Sequence, residues 1–201
     1  MNVLILFMIS YLIGSIPFAF VIGKVFYKTD VREHGSNNLG AGNTSRVLGI
    51  KPGVAVMILD MLKVSAVVFL TKQVGCDETI MSCCGLLAAV GHCWPIFVKF
   101  KGGKAVATMY GFLLGLFVFA GYSPLIFFLP LLILVIIIKL TKIISLASII
   151  SALVATVYLF IATELKSVQF ALVIFSLLII VRHKGNIERM YKRQENKITW
   201  M

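Results

Sequence analysis

Leu125-Ile126-Phe127-Phe128-Leu129-Pro130-Leu131-Leu132-Ile133-Leu134-Val135-Ile136-Ile137-Ile138 is a run without one polar side chain. A helix built from it offers nothing to water on any face, so it is either wholly buried or solvated by lipid. With its flanks the run predicts a spanning helix over 123–140, closed by Lys139 and Lys142. The rest of the chain decides for lipid. Of 201 residues, 60% are hydrophobic and 13% charged, and the mean hydropathy is +1.00. A soluble domain is about half apolar and about a quarter charged, so there is too little polar surface here to cover a water-soluble globule.

Six further segments approach the roughly 20 apolar residues that a spanning helix needs: 3–25, 53–71, 79–97, 105–121, 144–163 and 166–182. The expectation is an all-α integral membrane protein, one domain over 1–201, with seven transmembrane helices. No soluble domain fits between them, and no internal repeat stands out. The N-terminal run lacks a basic leader and is long, which predicts a retained helix rather than a cleaved signal peptide. Cys76, Cys83, Cys84 and Cys93 have no zinc-site spacing and read as small packing residues.

The net charge of +11 would suggest nucleic acid in a soluble protein. In a membrane protein it reports topology. With the N-terminus outside, sixteen of the nineteen Lys and Arg fall in cytoplasmic segments: five in 24–51, three in 99–104, two in 139–142 and six in 182–197. Lys72 and Lys166 lie outside, and Lys63 lies within a span. Under the positive-inside rule this predicts N-out, C-in, with no nucleic-acid partner.

Four unusual segments then share the cytoplasmic face. Ser36-Asn37-Asn38-Leu39-Gly40-Ala41-Gly42-Asn43-Thr44-Ser45-Arg46 is rich in glycine, amides and hydroxyls. It reads either as a turn-rich loop or as a phosphate site in which Arg46 supplies a planar fork, with Asn43 capping a short helix. In the stretch from Gly91 to Lys104, Gly102-Gly103-Lys104 precedes a helix starting near Ala105; backbone N–H groups there, beside a lysine, make an anion site. His92, near a membrane end, suits a structural hydrogen bond. In Thr141-Lys142-Ile143-Ile144-Ser145-Leu146-Ala147-Ser148 the hydroxyl of Ser145 reads as a helix cap. In His183-Lys184-Gly185-Asn186-Ile187-Glu188-Arg189, His183 and Asn186 share a face if the helix continues; the alternative is a basic tail on anionic lipid. Within the second span, Asp60 and Lys63 stand i, i+3 and read as a self-neutralising pair.

Taken together, these segments resemble the bacterial membrane acyl-phosphate:glycerol-3-phosphate acyltransferase family. The resemblance rests on Ser-x-Asn-x-Gly-x-x-Asn-x-x-Arg at Ser36, Asn38, Gly40, Asn43 and Arg46. It rests also on Gly-His-x-x-Pro-x-Phe at Gly91, His92, Pro95 and Phe97, followed by Lys-Gly-Gly-Lys at Lys101 to Lys104. The third motif is His-x-x-Asn-Ile-x-Arg at His183, Asn186, Ile187 and Arg189. The Asp60–Lys63 pair and residues 145–148 also fit. One departure is visible: the family's later Gly-x-Glu reads Arg193-Gln194-Glu195 here.

The resemblance implies transfer of a fatty acyl group from acyl-phosphate to the 1-hydroxyl of glycerol 3-phosphate, giving lysophosphatidic acid and phosphate in phospholipid biosynthesis. It implies Ser36, Lys104, His183 and Asn186 as catalytic residues, and Asn38, Arg46, Gly102, Gly103 and Ser145 as substrate-binding ones. His183 would bind phosphate or assist proton transfer. No metal or cofactor is implied. Glycerol 3-phosphate, fatty acyl-phosphate and membrane lipids are the partners, with a soluble acyl-phosphate-producing enzyme beside them, at the bacterial plasma (inner) membrane. The His-x4-Asp signature of many glycerolipid acyltransferases is absent, since Phe97 and Glu188 stand five residues after His92 and His183. A lipid translocator would instead bury its polar groups deep in the spans, where only Asp60 and Lys63 are found. A non-catalytic partner of lipid enzymes would have no use for the motif residues.

Overall fold

A computed structural model describes residues 2–198. Among them the regular elements are all helical: α1 (Val3–Ser15), α2 (Phe18–Phe26), α3 (Ala41–Leu48), α4 (Ile50–Gln73), α5 (Glu78–Cys93), α6 (Val106–Ala120), α7 (Leu125–Thr141), α8 (Ile144–Ala162), α9 (Lys166–Arg182) and α10 (Lys184–Tyr191), with short 3₁₀ turns at Val31–Glu33 and Ile96–Val98. Ile50–Gln73, Glu78–Val98 and Ile144–Ala162 are each long and apolar enough to cross a bilayer alone. The bent pairs α1–α2 and α9–α10 would bring that number to five. Helices α6 and α7 are apolar but have only 15 and 17 residues.

The expected first span, 3–25, is therefore not one straight helix. It breaks by 42° at Ile16-Pro17, because Pro17 has no N–H to continue the ladder and its ring excludes the helical approach. A broken helix at membrane depth exposes carbonyls that lipid cannot satisfy. Here the Ile16 carbonyl accepts a hydrogen bond from Lys63 Nζ at 2.9 Å. The expected third span, 79–97, matches the stretch Glu78–Val98, in which α5 ends at Cys93 and Trp94-Pro95 leads into the 3₁₀ turn. The last span does not run straight into the tail, since the chain bends by 59° between α9 and α10.

Small residues set the helix spacing, as is usual where lipid removes any hydrophobic drive between helices. At Gly111 a Cβ would strike the Met61 carbonyl of α4, and Ser65 Oγ donates to the Gly111 carbonyl at 2.7 Å. Phe112 of α6 stacks on Phe175 of α9, with ring centroids 5.4 Å apart, both fully buried. This core fixes α4, α6 and α9, and with them the ends that carry the polar loops.

Candidate active site

The loop 30–40 is organised from within by Asp30 and Asn43. Asp30 caps the 3₁₀ turn and accepts from Arg32 N and Nε, both at 3.0 Å, and from Nη2 at 2.7 Å. The Arg32 hydrogen bond, with Lys24 nearby, holds the Asp30 carboxyl down at about 2. Buried Asn43 does not cap α3, whose N-cap is Gly40. It turns back instead and donates to the Val31 and His34 carbonyls at 2.7 and 3.1 Å. Its Oδ1 accepts from the Ser36 N–H at 2.7 Å and from the Ser36 hydroxyl at 3.1 Å. With its proton committed, Ser36 Oγ keeps lone pairs for an incoming donor. Helix α3 carries the exposed Arg46 to the same place.

The expected anion site at Gly102-Gly103 is built differently. The Gly103 N–H is spent on the His92 carbonyl at 3.0 Å, and neither glycine lines the cavity described below. Helix α6 begins after Ala105, whose φ is 61°. The glycines serve close approach: a Cβ on Gly103 would strike the His92 imidazole. Their carbonyls are clamped by Arg182, which donates from Nε to Gly103 at 3.0 Å and from Nη2 to Gly102 at 3.1 Å, while Asn38 Nδ2 adds a bond to Gly102 at 3.2 Å. Arg182 also lies 5.4 Å from the Trp94 ring centroid. With the carbonyls turned away, Lys104 enters the cavity and donates to Asn186 Oδ1 at 2.5 Å. Burial pushes its ammonium down to about 8, with Arg189, Arg46 and Arg182 adding to the effect against the opposing charge of Glu195.

Ser145 does not cap α8, whose N-cap is Ile143. Its hydroxyl donates to Glu195 Oε1 at 3.1 Å. The same oxygen accepts from Asn186 Nδ2 at 2.6 Å, and Oε2 accepts from Arg189 Nε at 2.8 Å. Burial works against the Glu195 charge, but the hydrogen bonds from Asn186, Arg189 and Ser145 outweigh it and lower its pKa. Glu195 thus joins Lys104, Asn186, Ser145 and Arg189 in one network, which the motif reading left outside the site. The glycine expected two residues earlier is explained by geometry: Arg193 sits at φ 57°, in the left-handed region that glycine enters without strain.

His183 lies at the α9–α10 bend and is buried. Its Nδ1 meets the Ile179 carbonyl at 2.8 Å. A carbonyl only accepts, so Nδ1 carries the proton and Nε2 is a bare lone pair. Burial, then Lys104, pushes the imidazole down to about 4, which keeps it neutral at pH 7.

Seven of the nine expected residues—Ser36, Asn38, Arg46, Lys104, Ser145, His183 and Asn186—line one cavity of about 410 Å³. Its polar end continues into an apolar slot walled by Val54, Met57 and Met61 of α4, Tyr110 of α6 and Phe127, Leu131 and Leu134 of α7. Along α7 the slot runs from Ile138 to Phe127, roughly 16 Å at 1.5 Å per residue. No group of three or more His, Cys, Asp or Glu with metal-binding geometry occurs among the described residues.

The sequence model of the glycerol-3-phosphate acyltransferase family matches residues 4–193. A glycerol-3-phosphate acyltransferase of Listeria monocytogenes is 42% identical over 203 residues, covering 100% of this chain and 98% of its own length. One from Geobacillus kaustophilus is 40% identical over 200 residues, with the same coverage. A crystal structure of an integral membrane glycerol 3-phosphate acyltransferase in its glycerol 3-phosphate form superposes with a TM-score of 0.91 at 36% identity, covering 99% of this chain and 96% of that one. The lysophosphatidic acid form of that enzyme gives 0.88, with the same identity and coverage.

Proposed function

The chain belongs to the glycerol-3-phosphate acyltransferase family, and on that premise we propose that it moves a fatty acyl group from acyl-phosphate to the 1-hydroxyl of glycerol 3-phosphate, giving lysophosphatidic acid and phosphate. The observation that carries this reading is the two-ended cavity: Arg46, Lys104 and amides at one end, a slot of aliphatic and aromatic side chains at the other. An acyl-phosphate is anionic at one end and apolar along the rest, and glycerol 3-phosphate needs only the polar end.

The donor is a mixed anhydride and is already activated, so no covalent enzyme intermediate is needed. The protein's work is then positioning and charge stabilisation. Arg46 and Lys104 hold phosphate oxygens. Ser36, Asn38, Asn186 and Ser145 orient the two substrates. The bare Nε2 of His183 suits a hydrogen-bond acceptor for the 1-hydroxyl better than a phosphate donor. As O1 bonds to the acyl carbon, the bond to the phosphate oxygen breaks and its electron pair leaves with phosphate. The hydroxyl proton ends on that phosphate, whose second pKa is about 6, above the value of about 4 for His183. His183 therefore aims the hydroxyl rather than keeping its proton.

The same reading includes seven spans, N-out and C-in, in the plasma membrane, with the site open to the cytoplasm and supplied by a soluble acyl-phosphate-producing enzyme. Support for the topology comes from the basic residues, sixteen on one face against two on the other. The test is a donor assay on purified protein. Phosphate should leave acyl-phosphate only when glycerol 3-phosphate is added, matched one-to-one by lysophosphatidic acid, and acyl-coenzyme A should not replace the donor. Phosphate release without acceptor, or equal use of acyl-coenzyme A, contradicts the proposal.

A further inference from the structure

A second imidazole faces the cavity with the opposite polarity to His183. His92, in the last turn of α5, is only 6% exposed and lines the cavity together with Asp60. Behind it the Lys63 ammonium lies 2.7 Å from Asp60 Oδ1, donates to the Ile16 carbonyl at 2.9 Å and meets His92 Nδ1 at 3.1 Å. An ammonium has three N–H groups and no acceptor. Nδ1 is therefore the acceptor, and the proton of the neutral ring sits on Nε2. Asp60 Oδ1, 3.5 Å from Nδ1, is too distant to take that place from the ammonium.

Nε2 has no hydrogen-bond partner among the described residues. Gly103 lies directly against it, close enough that a Cβ would strike it, and the next residue is Lys104. His92 itself lines this substrate-sized cavity, where a donor without a protein partner is open to a ligand. It also stands where the lining changes from polar to apolar, since Asp60 is followed on α4 by Met61 of the slot. A phosphate group placed there would face the Asp60 carboxylate. An acyl carbonyl, uncharged until attack, would not be repelled in the ground state.

We propose that His92 is a catalytic residue: its Nε2–H donates to the acyl carbonyl oxygen of the donor and stabilises the negative charge that develops there as the 1-hydroxyl oxygen bonds to the carbonyl carbon. The charge returns to re-form the C=O bond when phosphate leaves, so no proton is lost from His92. Asp60 and Lys63 act as positioning residues that fix the tautomer. The assignment rests on the acyl-transfer reading above.

Two experiments decide it. In detergent-purified enzyme, His92→Phe should lower kcat about a hundred-fold, the loss seen when one such donor is removed, with KM for glycerol 3-phosphate nearly unchanged, and His92→Gln, which keeps an N–H, should recover part of it. Independently of whether these variants fold, ¹⁵N-histidine NMR of the unmutated enzyme should find the His92 proton on Nε2, and its resonance should move when a non-hydrolysable acyl phosphonate binds. A folded His92→Phe enzyme with parental kcat overturns the proposal, as does a rise in KM alone, a proton on Nδ1, or a resonance that ignores the phosphonate. If the parent transfers acyl-phosphate and only the His92 variants fail to change kcat, the His92 assignment alone falls; a parent that never transfers it takes the reaction down as well.

Discussion

Lys104→Ala removes the ammonium that enters the cavity beneath the Arg182 clamp. In the folded enzyme that group donates to Asn186 Oδ1 at 2.5 Å, and under the proposed function it donates to phosphate when substrate is bound. A hydrogen bond with one charged partner contributes about 1.5–3 kcal/mol net; a loss of about 2 kcal/mol corresponds to roughly 30-fold in kcat/KM. The assay is initial-rate phosphate release from acyl-phosphate over a range of glycerol 3-phosphate, with Lys99→Ala, an exposed lysine of the same loop, as the control. Burial holds the Lys104 pKa at about 8 in the free enzyme. The charged form therefore predominates below pH 8 and is lost as pH rises through it. KM for glycerol 3-phosphate should climb above pH 8, by up to about tenfold per unit, and this limb should be absent in Lys104→Ala. Equal activity of Lys104→Ala and Lys99→Ala, or an alkaline limb that survives in Lys104→Ala, would contradict a phosphate contact at Lys104.

Three further outcomes follow from the same geometry. Arg182→Lys keeps the charge but not the fork that grips the Gly102 and Gly103 carbonyls, so KM for glycerol 3-phosphate should rise by about tenfold, or ~1.4 kcal/mol, while the thermal midpoint shifts little. Arg193→Gly relieves a left-handed residue at φ 57°; the gain of ~1–2 kcal/mol less the entropy of glycine leaves ~0.5–1 kcal/mol, seen as a higher midpoint in thermal unfolding, and a lower midpoint would contradict it. For topology, a cysteine at position 40 should react with impermeant maleimide only from the cytoplasmic side, and labelling from outside in sealed cells would overturn the orientation.

What the sequence makes legible is what depends on neighbours along the chain. Apolar length located α4 and α6 to α9 to within a few residues, because a spanning helix is a local property of composition. The nine expected site residues were legible as a set, and the fold brings seven of them to one cavity. Long-range partners were not. Lys63 reads as the partner of Asp60 three residues away, yet it also holds the carbonyl freed at Ile16, 47 residues off, and the His92 ring. Ser145 reads as a cap because its partner, Glu195, lies 50 residues further on. Arg182 counted as a topology charge, although its two neutral acceptors are backbone carbonyls that no pattern of side chains announces. Gly102 and Gly103 suggested free N–H donors, whereas packing against His92 consumes one and turns both carbonyls to Arg182. The break at Pro17 was the one long-span failure with a local signal, a proline in the middle of an apolar run.

Direct transfer between two substrates held in one cavity is the centre of this account, and trapping tests it most closely. The enzyme is incubated with acyl-labelled acyl-phosphate without glycerol 3-phosphate, then denatured and separated from small molecules. Ser36 has its hydroxyl proton on Asn43 and Ser145 has its own on Glu195, with no nucleophile elbow around either, so the protein should carry no label and initial rates should follow a sequential pattern. Stoichiometric label on Ser36 or Ser145, released as labelled lysophosphatidic acid when glycerol 3-phosphate is added, would contradict it.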